Sequence, residues 1–309
     1  MKLTSLRILC VAAGLTLIAP ASAATYSITT VTRAGFDQLS FWDINNAGLV
    51  TGFAVYAGNS VRTGFVYDSH THVFTDLTGP TGAIGSFATG ISDTGVVVGK
   101  YFTEAGPPQG ISFIYEGGHY TDFNVPGTMS TTLRGISPDA RYLTGTYDDD
   151  NLGFVFDRDT STFVTIGDNM VVQGINGNGI VAGSVVATTP FLYDIASHVR
   201  TDYTPLTDAY RDVNDDGIVT GFGYRDGFEQ SVGIVGAAGG VSVLNVEGSF
   251  GTIGYGINND ATVVGFYNHA DETRGAFIAI VVPEPGAWAL LLCGLAGLAA
   301  WRRRTDSPA

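Results

Sequence analysis

The sequence predicts an all-β fold made of six copies of one four-stranded unit. Three observations predict it. One short phrase recurs six times along the chain; five of the copies are followed by an aromatic strand, and the first five copies by one more strand; and the last copy lacks that strand while the chain start supplies one with no unit of its own. Composition agrees. With 42 glycines, 14 tyrosines and 18 phenylalanines in 309 residues and almost no helical periodicity, the chain has the profile of short pleated strands joined by tight turns.

Met1 to Ala23 carries Lys2 and Arg7, an apolar run from Ile8 to Ala19, Pro20, and then Ala21-Ser22-Ala23. That is the arrangement of a secretory signal peptide, with cleavage expected after Ala23. The apolar run is too short to span a hydrocarbon layer of ~30 Å at about 1.5 Å per residue, so a cleaved leader is preferred over an anchor. "TYSITTVT" from Thr25 then alternates as a strand.

The six phrases follow: "DINNAGLVTGF" from Asp43, "GISDTGVVVGK" from Gly90, "GISPDARYLTGT" from Gly135, "GINGNGIVAGS" from Gly174, "DVNDDGIVTGF" from Asp212 and "GINNDATVVGF" from Gly256. Their anchor residues Ile44, Ile91, Ile136, Ile175, Val213 and Ile257 are 47, 45, 39, 38 and 44 positions apart. Within each unit a strand ends at the anchor, an Asn, Asp or Gly cluster turns the chain, and a β-branched strand closes on Gly52, Gly99, Gly145, Gly183, Gly221 or Gly265. A third strand such as "GFVYD" from Gly64 and a fourth such as "HVFTDL" from His72 complete the unit. Four strands in roughly 40 residues is the spacing of a β-propeller blade.

The sixth unit has its third strand, "GAFIAI" from Gly275, and no fourth. Thr25 to Thr32 is expected to supply it and to remove an open sheet edge. The prediction is therefore a six-bladed β-propeller over residues 24–281, closed by the N-terminal strand, with a β-solenoid or a pair of sandwiches as alternatives.

The chain ends in Val282-Pro283-Glu284-Pro285, the apolar segment Gly286 to Trp301, and Arg302, Arg303 and Arg304. The prolines bar a helix from running back into the domain. The apolar segment suits a short transmembrane helix, with the arginines on the cytoplasmic side. These residues resemble the PEP-CTERM sorting signal of Gram-negative bacteria. The resemblance implies an exosortase as processing partner, a membrane anchor with the ectodomain in the periplasm until cleavage, and then a place at the cell surface or in an exopolysaccharide matrix. The repeated phrase also resembles the HAF-type extracellular repeats, although the His-Ala-Phe triplet is absent and only Ala276-Phe277 approaches it. No activity carries over from that family.

Lys2, Arg7 and Arg302 to Arg304 lie outside the central domain, as do Glu284 and Asp306, which leaves 10 basic against 27 acidic residues and a formal charge of −17. Such a surface repels nucleic acid and anionic lipid. The two cysteines, Cys10 and Cys293, fall in the leader and the tail, so no disulfide is expected within the domain.

Asp212-x-Asn214-x-Asp216-Gly217 has the opening of an EF-hand-like loop and makes calcium the one candidate cofactor. The twelfth position is Gly223 rather than Glu, and sister units keep the turn without the carboxylates, so a hairpin turn is the first reading. Asp148-Asp149-Asp150 reads as a solvated tip, and His70 with His72 as surface residues. No Gly-x-Ser-x-Gly elbow is present.

The loops between second and third strands vary most, and rigid scaffolds place binding on such loops. Tyr56, Phe102, Tyr224 and Phe228 in these loops suit stacking on sugar rings or on a protein partner. The expected role is a binding or structural module, with a polysaccharide-active enzyme on the same scaffold as the alternative.

Overall fold

A computed structural model describes residues 24–282 apart from 59, 105, 107–109, 149–151, 186–188, 204–208, 226, 228, 229, 238 and 239. Residues 1–23, where a signal peptide is expected, and the tail from Pro283 onward, with its expected transmembrane segment, lie outside the described residues. Every regular element described is a strand, and no helix occurs among the described residues.

After β1 (Thr25–Val31) the first unit comprises β2 (Phe36–Ile44), β3 (Leu49–Tyr56), β4 (Arg62–Asp68) and β5 (Val73–Leu77). The second comprises β6 (Gly85–Ile91), β7 (Val97–Phe102), β8 (Ile111–Glu116) and β9 (His119–Phe123); the third, β10 (Thr131–Ile136), β11 (Tyr142–Tyr147), β12 (Leu152–Asp157) and β13 (Thr162–Asp168). The fourth holds β14 (Met170–Ile175), β15 (Ile180–Val185), β16 (Pro190–Asp194) and β17 (Val199–Asp202); the fifth, β18 (Ala209–Val213), β19 (Val219–Gly223), β20 (Val232–Ala237) and β21 (Gly240–Leu244). Last come β22 (Thr252–Ile257), β23 (Val263–Asn268) and β24 (Arg274–Val282).

Units two to five are separate antiparallel four-stranded sheets. The strands of units one and six share a larger sheet, joined by one parallel bridge between Gln38 and Arg274. β1 lies antiparallel on β24, from Thr25 opposite Val282 to Val31 opposite Ala276. The first strands touch in the order β2, β6, β10, β14, β18, β22, and β22 touches β2.

The turns explain why the phrase repeats. Asn45 accepts at Oδ1 from the Ala47 and Leu49 amides at 3.1 and 2.9 Å, and Asn176, Asn214 and Asn258 do the same two and four residues ahead. Each is an Asx turn that satisfies backbone donors the hairpin leaves over. In the second and third units the Ser92 and Ser137 hydroxyls accept from the Val96 and Tyr142 amides instead.

In five of the six units a glycine within the second strand lies beneath an aromatic ring of the third strand; in the fifth, Gly221 is opposite Ile234 instead. A Cβ at Gly99 would stand 2.9 Å from Phe113, and one at Gly145 3.0 Å from Phe154. Phe65, Phe113, Phe154, Phe191 and Phe277 all occupy this place and are fully buried. At about 25 cal/mol per Å² of apolar surface, each ring contributes roughly 2–3 kcal/mol. Only glycine leaves room for a ring this close to the sheet.

Candidate functional site

Each first strand carries a register shift two residues before its anchor. The ladder skips a residue between Phe41 and Asp43, Ala88 and Gly90, Leu133 and Gly135, Val172 and Ile175, Tyr210 and Asp212, and Gly254 and Gly256. A β-bulge leaves its extra residue unpaired and re-aims that side chain. The residues so displaced are Trp42, Thr89, Arg134, Gln173, Arg211 and Tyr255, one per unit, and all six line one cavity of about 40 Å³ between the first strands.

This column differs at almost every position while the phrase around it is constant. The residue after it, by contrast, is Asp43, Gly90, Gly135, Gly174, Asp212 or Gly256. Packing dictates this: a Cβ on Gly135 would lie 2.6 Å from the Gln173 carbonyl, and one on Gly256 2.6 Å from Asp43 Cα. A Cβ on Gly174 would fall on the carboxylate of Asp212.

Asp43 and Asp212 take the place of glycine in two units and bridge to the next. Asp43 accepts from the Ile44 amide at 2.7 Å and from Ile91 of the second unit at 2.8 Å. Asp212 accepts from Val213 at 2.8 Å and from Ile257 of the sixth unit at 2.9 Å. Burial raises the Asp43 carboxyl to about 7 against the pull of those amides. Burial also raises Asp212, and the charge of Asp43 adds to it.

The bulged donors are placed differently. Gln173 is 4% exposed and its Nε2 has no protein partner; Trp42 Nε1 and Arg211 Nε are likewise buried and unpartnered. Buried polar groups are nearly always satisfied, so three orphan N–H donors around one cavity form an unusual concentration. Aromatic rings frame it. Trp42 stacks on Tyr255 at 5.3 Å and on Phe87 at 5.6 Å. Arg211 lies 5.1 Å over Tyr255, Arg62 and Lys100 lie over Phe87, and Arg274 lies 4.2 Å over Phe266, itself beside Tyr255. Of the domain's ten basic residues, Arg134 and Arg211 line the cavity, and Arg62, Lys100 and Arg274 lie over rings in contact with Trp42 or Tyr255. The cavity's other end is made of Asx-turn residues Asn46, Asp93, Asp215 and Asn259, where Asn46 donates to Asp93 and Asn259 to Asp215.

The sequence singled out other residues. Asp212 and Asn214 lie at this junction, with Asn214 Nδ2 donating to Asn258 O at 3.1 Å, while Asp216 is exposed on the turn. No group of three or more His, Cys, Asp or Glu among the described residues is placed to hold a metal ion. Phe102 packs on Phe87 at 5.7 Å and so joins the Trp42 cluster. Tyr56 packs on Phe36 at 4.2 Å, Tyr224 is 58% exposed, and Phe228 lies outside the described residues. His72 accepts or donates with the Tyr67 hydroxyl at 2.8 Å, and His198 repeats the contact with Tyr193. Sequence reasoning missed the bulged column, although its one signal was visible: a single changing position ahead of an unchanging phrase.

A second, wider depression of about 270 Å³ lies beside the β1–β24 seam, lined by Arg33, Phe36, Asp37, His269 and Arg274. Its Arg33 is held by Asp76 at 2.8 Å.

Residues 281–304 match the family model described as the PEP-CTERM protein-sorting motif, which supports an exosortase as processing partner. Among curated proteins none matches the chain in sequence. In fold the chain is similar to the putative TolB from Agrobacterium tumefaciens, at 11% identity over 80% of this chain and 91% of that one, with a TM-score of 0.51. It is similar to a prolyl endopeptidase at 12% identity over 84% of this chain, TM-score 0.50, and spans 43% of that chain. The β-propeller domain of the Trilobed protease from Pyrococcus furiosus is similar at 11% identity over 77% of this chain and 94% of that one, TM-score 0.47. These likenesses concern the fold alone: the chain is all-β with propeller-like neighbours. The apolar segment 286–301 is outside the described residues, and no helix among the described residues is long and apolar enough to cross a membrane.

Proposed function

We propose that this chain is an exported six-bladed β-propeller, processed by an exosortase, that acts as a binding module at the surface or in the polysaccharide matrix of a Gram-negative cell. Six blades closed by β1 are supported by the cyclic contact order of the first strands and by the β1–β24 ladder. Residues 1–23 serve as the leader, 24–281 as the ectodomain and 282–309 as the sorting tail, with Val282 to Pro285 at the cleavage region and the arginines retained inside. Export is supported by the motif at 281–304.

The observation that carries binding is the axial column itself. Six equivalent first strands each bulge at the corresponding residue and bring indole, guanidinium, amide and phenol groups to one cavity, which is equipment for recognition. Of the four carboxyl groups there, Asp43 and Asp212 have their oxygens taken by backbone amides, and Asp93 and Asp215 accept from neighbouring turns, so they hold junctions rather than face a scissile bond. The exposed loop aromatics, Tyr224 foremost, extend the surface for a glycan.

The test uses the processed form collected outside the producing cells, passed over immobilised acidic and neutral exopolysaccharides. Retention without new reducing ends is the expected result. New reducing ends would favour an enzyme, and neither retention nor cleavage would refute the matrix role. Replacing Glu284 with Ala tests the processing half separately, since the exported form should then keep the mass of its tail.

A further inference from the structure

The axial cavity holds three N–H donors that nothing in the protein satisfies, and its size limits what can satisfy them. A single water needs roughly 10–15 Å³, so a cavity of about 40 Å³ has room for a group of carboxylate size. The unpartnered side-chain groups that line the cavity are all donors: Trp42 Nε1, Gln173 Nε2 and Arg211 Nε. Planar guanidinium and amide donors match the two oxygens of a carboxylate.

We propose that the axial cavity is a carboxylate pocket, which receives the acid group of a ligand. The proposal deepens the binding reading by naming the ligand class. The negative groups lining the same cavity are Asp43, Asp93, Asp212 and Asp215. Asp43 and Asp212 direct their lone pairs to the amides of Ile44, Ile91, Val213 and Ile257. Asp93 accepts from Asn46, and Asp215 from Gly177 and Asn259. None of the four competes for the orphan donors. An acid that fills the pocket gains charge-assisted bonds at groups already desolvated, where an unmade bond is costly.

The experiment is calorimetric titration of the full chain in detergent with acetate and glucuronate, against acetamide and glucose at constant chloride. Saturable heat with the two acids alone is expected. Gln173→Leu should weaken it more than tenfold, Arg211→Gln likewise, while Tyr224→Ala, outside the cavity, leaves acetate binding unchanged. Should Gln173→Leu fail to fold, the Arg211 variant decides. Equal binding of acetamide, no saturable heat, or acid binding that survives both cavity substitutions would each overturn the proposal and leave trapped water as the occupant. Acid binding without retention on any polysaccharide would keep the pocket and remove the matrix role, so the two readings fail separately.

Discussion

The side-chain amide of Asn258 donates to the backbone carbonyl of Asn45 at 3.3 Å, joining positions 213 residues apart. The same contact runs from Asn45 to Ser92 O, from Asn176 to Asn214 O and from Asn214 to Asn258 O. One residue type therefore does two jobs: its oxygen folds the local turn and its nitrogen ties that turn to the next unit. Asn258→Ala removes both, and a lost buried hydrogen bond with unpaired partners costs about 1–3 kcal/mol. Asn46→Ala, on an exposed contact, should cost well under 1 kcal/mol. Urea midpoints of the two variants check the contrast, and equal midpoints would deny the Asn258 contact its role.

Alanine should cost much more at Gly174 than at Gly217. Alanine at 174 puts a methyl where the Asp212 carboxylate lies, and overpacking of this kind costs about 3 kcal/mol. Alanine at 217 meets no atom within 4 Å and must only adopt φ near +75°, at a cost of about 1 kcal/mol. Ala140 and Ala261 already occupy the equivalent turn position at φ 63° and 55°. Thermal unfolding of both variants decides. Adding Asp212→Gly to Gly174→Ala, which recreates the glycines of the sister units, should recover part of the loss.

Stability should fall as pH rises through the range from about 4 to about 7. An unfolded Asp titrates near about 3.9, whereas folding lifts Asp43 to about 7 and raises Asp212 as well. Between those values the folded chain binds the extra protons, so ΔG of unfolding declines by up to about 1.4 kcal/mol per pH unit for each proton. Asp157 works in the opposite sense: Arg141 holds it at about 2, so its stabilisation is present above the unfolded value and is lost only as pH falls through the acid range. Urea midpoints from pH 4.5 to 8 should drop for the parent chain and drop less steeply for Asp43→Asn. Parallel slopes for the two would contradict the assignment to Asp43.

What could be read in advance was whatever the backbone itself demands. Asn45, Asn176, Asn214 and Asn258 announced turns because an Asx side chain replaces a backbone acceptor. Gly52 and Gly99 did not mark the strand ends expected of them: β3 and β7 run on to Tyr56 and Phe102, and the glycines sit mid-strand because a ring must pass over them. The partner of Thr25 to Val31 was legible because the sixth unit lacks a fourth strand. The axial column was not. A β-bulge is a property of register between two strands, and nothing in Trp42 or Gln173 alone reveals that it faces an axis. Asp212 illustrates the same limit: read locally it opens a calcium-like loop, but its carboxylate is spent on the amides of Val213 and of Ile257, 45 positions away.

The most direct measurement is disulfide formation across the β1–β24 seam, since residues 24–282 contain no cysteine. Ser27 faces Ile280 and Tyr26 faces Val281, and one of two successive antiparallel pairs is the close, non-hydrogen-bonded kind suited to a bridge. Ser27→Cys with Ile280→Cys, or Tyr26→Cys with Val281→Cys, should oxidise to an intramolecular disulfide that links the first strand to the last and raises the unfolding midpoint. Failure of both pairs to bridge in the folded chain would mean that the N-terminal strand does not complete the sixth sheet.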